Sequence, residues 1–162
     1  MSAETELRGL LARNLASARR VAERLRRSRE KLASDIPLSA EAVTRLTEAQ
    51  QEAIDALLKR YEQLEDALGR GLFRTLAALE GEDVSALSRR DLALLMEKLG
   101  VVASAEAWSE AALMRNRLVH HYPDEPDRQA ERINAAWRLA EVLLETLARL
   151  EAHVRAKGFL SG

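Results

Sequence analysis

Hydrophobic residues recur every three or four positions along most of the chain, which predicts amphipathic helices in five segments. The first segment runs roughly from Ala3 to Ala33. Pro37 disfavours helical backbone at Ile36 and so ends this helix. Its apolar stripe consists of Leu7, Leu11, Ala18, Val21, Leu25 and Leu32.

A second helix is predicted to begin at Ser39, a good N-cap, and to continue to about Leu79. Forty residues would make a helix of roughly 60 Å, which is long for a chain of this size. Gly69 and Gly71 mark the place where a break or kink is expected. The apolar stripe of this helix consists of Val43, Leu46, Ile54, Leu57, Tyr61, Leu64, Leu68, Leu72 and Leu76.

Two shorter helices follow a connector at 81–87. Ser88 and Asp91 form a capping box that opens a helix to Leu99. Ser104 caps a fourth helix, which runs to about His121 because the residue before Pro123 is pushed out of helical backbone.

The last helix follows a Pro-Asp-Glu-Pro turn at 123–126, and the tail at 158–162 is expected to fray. Its apolar stripe consists of Ile133, Trp137, Ala140, Leu144, Leu147 and Val154. Long amphipathic helices joined by short links predict an all-α antiparallel bundle of about five helices with a four-helix up-and-down core. We expect one domain over residues 1–162.

Composition agrees with this fold class and narrows the kinds of chemistry to consider. Only 4% of the residues are aromatic, and there is no cysteine, so a disulfide, a thiol nucleophile or a thiolate metal site is excluded. The charged start predicts no signal peptide, and no apolar stretch reaches 18 residues. We therefore expect a cytoplasmic protein that has no contact with a membrane.

Charge is spread unevenly although the formal net charge is only −1. Residues 1–33 contain nine Lys or Arg and four Glu, while the remainder of the chain has an excess of acids. Such a basic segment attracts RNA electrostatically. The alternative is a solvated helix face that is partly paired with acids elsewhere in the chain.

The ten residues at 114–123 contain two of the three histidines. At about 100° per residue, Arg115 falls in the middle of an apolar stripe with Trp108 and Val119. An arginine cannot lose its charge, so a half-buried one needs an anionic partner. That partner is either a carboxylate of the same chain or a phosphate.

A second polar face lies beside this stripe. Asn116 and His120 lie one turn apart on it, while His121 points to the ordinary polar side. A histidine near a helix end either caps carbonyl groups or takes part in proton transfer. The two adjacent histidines diverge by about 100° on a helix, and no Glu-x-x-His pattern is present, so we expect no metal site and no cofactor.

The spacing Arg115, four residues, His120, one residue, Tyr122 resembles the Arg-x4-His-x-Tyr signature of HEPN-domain proteins. The sequence Arg-Asn-Arg-Leu-Val-His-His-Tyr is especially similar to HepT-type toxins of HepT–MNT toxin–antitoxin pairs. The resemblance extends loosely over 88–154, with the motif region at 104–123. Residues 1–80 agree with the family only in forming long helices. His121 departs from the family, where this position is often acidic.

This resemblance implies a helical bundle that forms a homodimer in which the two motifs face one cleft. It implies a metal-independent endoribonuclease in which Arg115 and His120 are the catalytic pair. Asn116 and His121 would support them or bind phosphate. Tyr122 would be the residue to which a nucleotidyltransferase antitoxin of the MNT type attaches AMP.

The residue types suit this chemistry on their own account. A histidine with an ordinary pKa of about 6.5 exchanges protons with a ribose 2′-OH at neutral pH, and a guanidinium stabilises charge on phosphoryl oxygens. Two alternatives to a nuclease remain open at this point. One is a non-catalytic subunit that binds nucleotide or substrate for a nucleotidyltransferase. The other is an interaction bundle in which Arg115 is paired internally.

Overall fold

The computed structural model describes residues 2–118 and 125–160, and this part of the chain is helical throughout apart from turns and caps. No strand occurs within it, so the predicted all-α class is confirmed. The helices are α1 (Ala3–Leu32), α2 (Ala40–Val43), α3 (Glu48–Asp66), α4 (Phe73–Leu79), α5 (Arg89–Lys98), α6 (Ala105–Arg117) and α7 (Pro126–Ala156). A π-helical turn, Ala67–Leu72, joins α3 to α4, and a 3-10 turn, Val84–Ala86, lies in the connector before α5.

The prediction of one continuous second helix is wrong at its start, because the helix is interrupted between α2 and α3. Ser39 does cap a helix, but that helix ends at Val43 after a single turn. Thr47 then starts α3 with a capping box, in which its hydroxyl accepts from Gln50 N–H and the Gln50 side chain accepts from Thr47 N–H. This reciprocal pair satisfies two backbone donors that a continuous helix would have bonded internally.

The irregularity expected at Gly69 and Gly71 is present, but it does not interrupt the helix. Both glycines lie in the π-helical turn, so α3, this turn and α4 form one continuous rod over 48–79. A side chain at Gly69 would crowd two neighbours, since its Cβ would lie 3.3 Å from Glu65 Oε1 and 3.4 Å from Trp108 Cζ2. Glycine therefore allows α6 to approach the rod closely.

The remaining helices follow the sequence pattern closely at their starts. The Ser88–Asp91 capping box opens α5, and Ser104 caps α6. However, α6 ends at Arg117, about one turn earlier than predicted, with Leu118 N–H donating to Arg115 C=O.

The long helices form an up-and-down bundle. Arg19 pairs with Glu151, and ten residues further along α1 Arg29 pairs with Glu141, so α1 and α7 run antiparallel. The rod runs antiparallel to α1, and α6 runs antiparallel to the rod. The chain then continues into α7. The core between them is built from leucines and alanines with Tyr61, Phe73 and Trp108.

Part of the tail that was predicted to fray packs against the bundle. Phe159 is buried, and the Arg8 guanidinium lies over its ring and donates to Gly158 C=O. This contact fastens the end of α7 to the start of α1. In the described ranges, no helix combines the length and apolar character needed to cross a membrane.

Candidate active site

Arg115 projects from α6 toward α3, where three carboxylates surround it. Its Nε lies 3.2 Å from Glu65 Oε2, and its Nη2 lies 3.4 Å from Asp66 Oδ1 and 4.0 Å from Glu62 Oε1. The Arg115 side chain is 20% exposed. Of the two partners that the sequence left open, the internal carboxylate is therefore present, while part of the Arg115 side chain still reaches solvent.

Glu65 is the most deeply buried of these acids. Its residue is only 4% exposed, and burial raises the pKa of its carboxyl above the ordinary value, against the opposing effect of Arg115. The nearby Asp66 carboxylate raises this pKa further because like charges oppose ionisation. The contact from Arg115 Nε lacks the direction of a hydrogen bond, so the attraction between the two side chains is mainly electrostatic.

A buried tyrosine fixes α6 on α3 one turn away from these charges. Tyr61 O–H donates to Ala111 C=O at 2.6 Å, and the tyrosine has no exposed surface. Burial, followed by the charge of Glu65, raises the pKa of this phenol well above its ordinary range, so it stays a donor. The backbone that carries Arg115 is thus held at a fixed distance from the acids of α3.

A cleft of about 230 Å³ opens beside Arg115, between the π-helical turn, the first turn of α5 and α6. Its apolar wall includes Trp108 and Phe73, whose ring centroids are 4.6 Å apart. Ser109 and Asn116 line it from α6. Three arginines, Arg70, Arg89 and Arg90, also line it, together with Glu65. The cleft therefore combines an apolar wall with cationic groups suited to phosphate.

The structure brings together only part of the set of residues predicted from the sequence. Arg115 is half-buried, and the exposed Asn116 follows it at the edge of the cleft. His120, His121 and Tyr122 lie outside the described residues, and so do residues 123–124 of the turn predicted at 123–126.

Sequence reasoning missed the acids that hold Arg115. One signal was available, because Glu65 follows Tyr61 by four positions and so falls on the apolar stripe of α3. An acid at such a position needs a partner in the same way that Arg115 does. The contribution of Arg70 and Arg89 to the cleft has no comparable signal, since exposed arginines are common on helices.

The described ranges contain no group of three or more His, Asp or Glu side chains placed to hold a metal ion. Comparison of the chain with protein-family models, with curated proteins and with solved structures finds no match in any of the three. The chemistry of the site is therefore inferred from its own residues.

Proposed function

We propose that this protein is a metal-independent endoribonuclease of the HEPN type that acts as a cytoplasmic homodimer. The observation that carries the proposal is the position of Arg115. The arginine of the Arg-x4-His-x-Tyr sequence is half-buried, is oriented by three carboxylates and lies beside an arginine-lined cleft. Such a fixed cation is suited to stabilising charge that develops on a phosphoryl group.

In this mechanism the ribose 2′-oxygen attacks the adjacent phosphorus while His120 takes the 2′-OH proton. The bond from phosphorus to the 5′-oxygen breaks, and that oxygen receives a proton from the His120 of the second subunit. The products are a 2′,3′-cyclic phosphate and a free 5′-OH. Because the nucleophile is the 2′-OH, the reaction is restricted to RNA.

The exposed part of the Arg115 side chain would contact the phosphoryl oxygens, with Asn116 and His121 as further donors. The acids behind Arg115 hold its guanidinium in one orientation.

The proposed dimer follows from the resemblance, in which two motifs face one cleft. Leu113 on α6 lines the cleft and is 65% exposed, so a second copy seated on this face would cover it. The proposed inhibitor is a nucleotidyltransferase of the MNT type. It would transfer AMP from ATP to the Tyr122 hydroxyl with release of pyrophosphate.

The decisive experiment measures cleavage of end-labelled RNA in EDTA by the wild type and by His120→Ala. We expect the wild type to produce 2′,3′-cyclic ends, and we expect the variant to lose at least about 100-fold in rate, as for removal of a general acid or base. His153→Gln is a matched control, because His153 binds Glu80 far along α7 and the amide retains a donor. Circular dichroism and gel filtration check that helicity and oligomeric state are unchanged.

Equal cleavage by wild type and His120→Ala would contradict the catalytic assignment and point to a contaminating nuclease. Loss of activity in His153→Gln to the same degree would show that any histidine change disables the protein.

The cleft also favours a second candidate function, a non-catalytic subunit that binds a nucleotide for a nucleotidyltransferase. A nucleobase would lie against Trp108, while Arg70, Arg89 and Arg90 would hold the phosphates. This candidate predicts binding of AMP or ATP, detected by Trp108 fluorescence, in a protein that does not cleave RNA.

A further inference from the structure

A second concave surface follows α1 where it packs against α3 and the π-helical turn. This groove encloses about 630 Å³ and is lined from α1 by Arg20 and Arg24 and from the rod by Arg60 and Arg70. Asp66 is the only carboxylate among its lining residues. We refer to this surface as the α1–α3 groove.

The arginines of this groove are largely free of acidic partners. Within residues 2–118 and 125–160, no carboxylate forms an ion pair with Arg20, Arg24 or Arg60. Arg60 donates only to the neutral Gln63, and Arg70 pairs with Asp66 at 3.2 Å. The groove thus keeps donors available for an external anion.

The α1–α3 groove shares residues with the candidate active site. Arg70 lines both the groove and the cleft that contains Trp108. Asp66 lines the groove and also contacts Arg115. A chain of anionic groups lying in the groove would therefore pass Arg70 before it reached Arg115.

We propose that the α1–α3 groove binds the phosphate backbone of single-stranded RNA and leads it to the cleft. A guanidinium fork matches a phosphate, and an open groove accommodates a flexible strand in which successive phosphates meet successive arginines. The cleft at its end supplies an apolar wall for one base. This assignment rests on the proposed function, since it names the path of that enzyme's substrate.

The test measures binding of a fluorescein-labelled single-stranded RNA by anisotropy in EDTA at several salt concentrations. The protein carries His120→Ala so that the RNA stays intact. The groove variant adds Arg24→Gln and Arg60→Gln. The matched control adds Arg26→Gln on another face of α1 and Arg155→Gln on α7, two exposed arginines that do not line the groove.

The groove variant should bind about tenfold more weakly at moderate salt, and the slope of log K against log salt should fall by about 1.4, or about 0.7 for each lost phosphate contact. The control carries the same change in net charge and should bind within about twofold of the parent. Equal losses in the two variants, or no binding by the parent, would overturn the assignment.

Two further results separate this proposal from the proposed function. Groove-dependent binding by a protein whose wild type does not cleave RNA would support the groove while refuting the nuclease. Cleavage by the wild type with unaltered binding in the groove variant would do the opposite. Competition by polyglutamate as strong as that by unlabelled RNA would overturn the choice of RNA, since it would indicate a surface for acidic proteins.

Discussion

The two sides of α1 carry arginines in opposite environments. On the side facing α7, a concave surface between α1 and α7 is lined by Glu30, Glu141 and Glu145. Arg29 bonds to Glu141 there at 2.7 Å. On the side facing α3, Arg20 and Arg24 meet further arginines and one aspartate. One side is therefore neutralised within the fold, while the other keeps its positive charge.

This difference shows why the excess of five positive charges in residues 1–33 does not produce a uniformly positive surface. An arginine that pairs with an acid of another helix contributes to packing and orientation. An arginine without such a partner contributes to the field outside the protein. Arg115 belongs to the first kind, because three carboxylates surround it, although its side chain is still 20% exposed.

The largest effect on stability is expected from Arg115→Ala. Its loss leaves the buried Glu65 and its acidic neighbours without their shared cation, which we expect to lower the free energy of unfolding by about 2–3 kcal/mol. This is below the usual cost for a fully buried pair, because Arg115 is partly exposed. Urea unfolding at neutral pH measures the change.

Arg24→Ala is the control for that measurement, because Arg24 lies in the open groove. Its effect should stay within about 0.5 kcal/mol. Similar losses in both variants would mean that the two arginines have similar structural roles, contrary to the comparison.

A smaller loss is expected from Arg29→Ala on the side facing α7. Arg29 Nε donates to Trp137 C=O at 2.9 Å, and its guanidinium lies 4.3 Å from the centroid of the Trp137 ring. Removing these contacts and the Glu141 pair should cost about 1–2 kcal/mol by thermal or urea unfolding. Arg27→Ala, which loses only an exposed pair with Glu23, should cost less than about 0.5 kcal/mol. The comparison fails on this side if the two variants unfold alike.

The smallest effect concerns pH. In the folded protein the pKa of Glu65 is raised above its ordinary value of 4.5. At pH values between the ordinary and the raised pKa, the native state therefore binds more protons than the unfolded chain does. Wild-type stability should therefore fall relative to Glu65→Gln as the pH rises through this window, by less than about 1 kcal/mol between pH 4 and pH 8. Urea unfolding of both proteins across this range provides the test. A difference that stays constant, or that grows in favour of the wild type, would contradict the raised pKa.

Much of the fold follows from local patterns in the sequence. The first helix was expected over Ala3–Ala33 and is found over Ala3–Leu32, and the Ser88 capping box opens α5 as predicted. The break before Thr47 was missed because Val43 and Leu46 continue the apolar spacing. Thr47 and Gln50 do form a local capping signal, but the apolar spacing runs across it without interruption.

Only the α6 part of the candidate site was predictable from the sequence. The position of Arg115 on an apolar stripe showed that it needs an anion, and the spacing to His120 and Tyr122 carried the resemblance to HEPN proteins. Which anion lies beside Arg115 depends on how α6 is placed against α3. That placement is fixed by contacts between distant residues, such as Tyr61 O–H to Ala111 C=O, that no local pattern contains.

The sequence by itself determined the helical class, most helix ends, the basic first helix and the identity of the motif residues, because these depend on periodicity, capping and composition. Only the tertiary structure decided which arginines are neutralised and which remain open. Coulomb interactions depend on distance in space, and residues such as Arg29 and Glu141 are far apart in sequence. The bundle places acids against one side of α1 and leaves arginines on the other, which is why one basic segment provides both a packing surface and a candidate path for RNA.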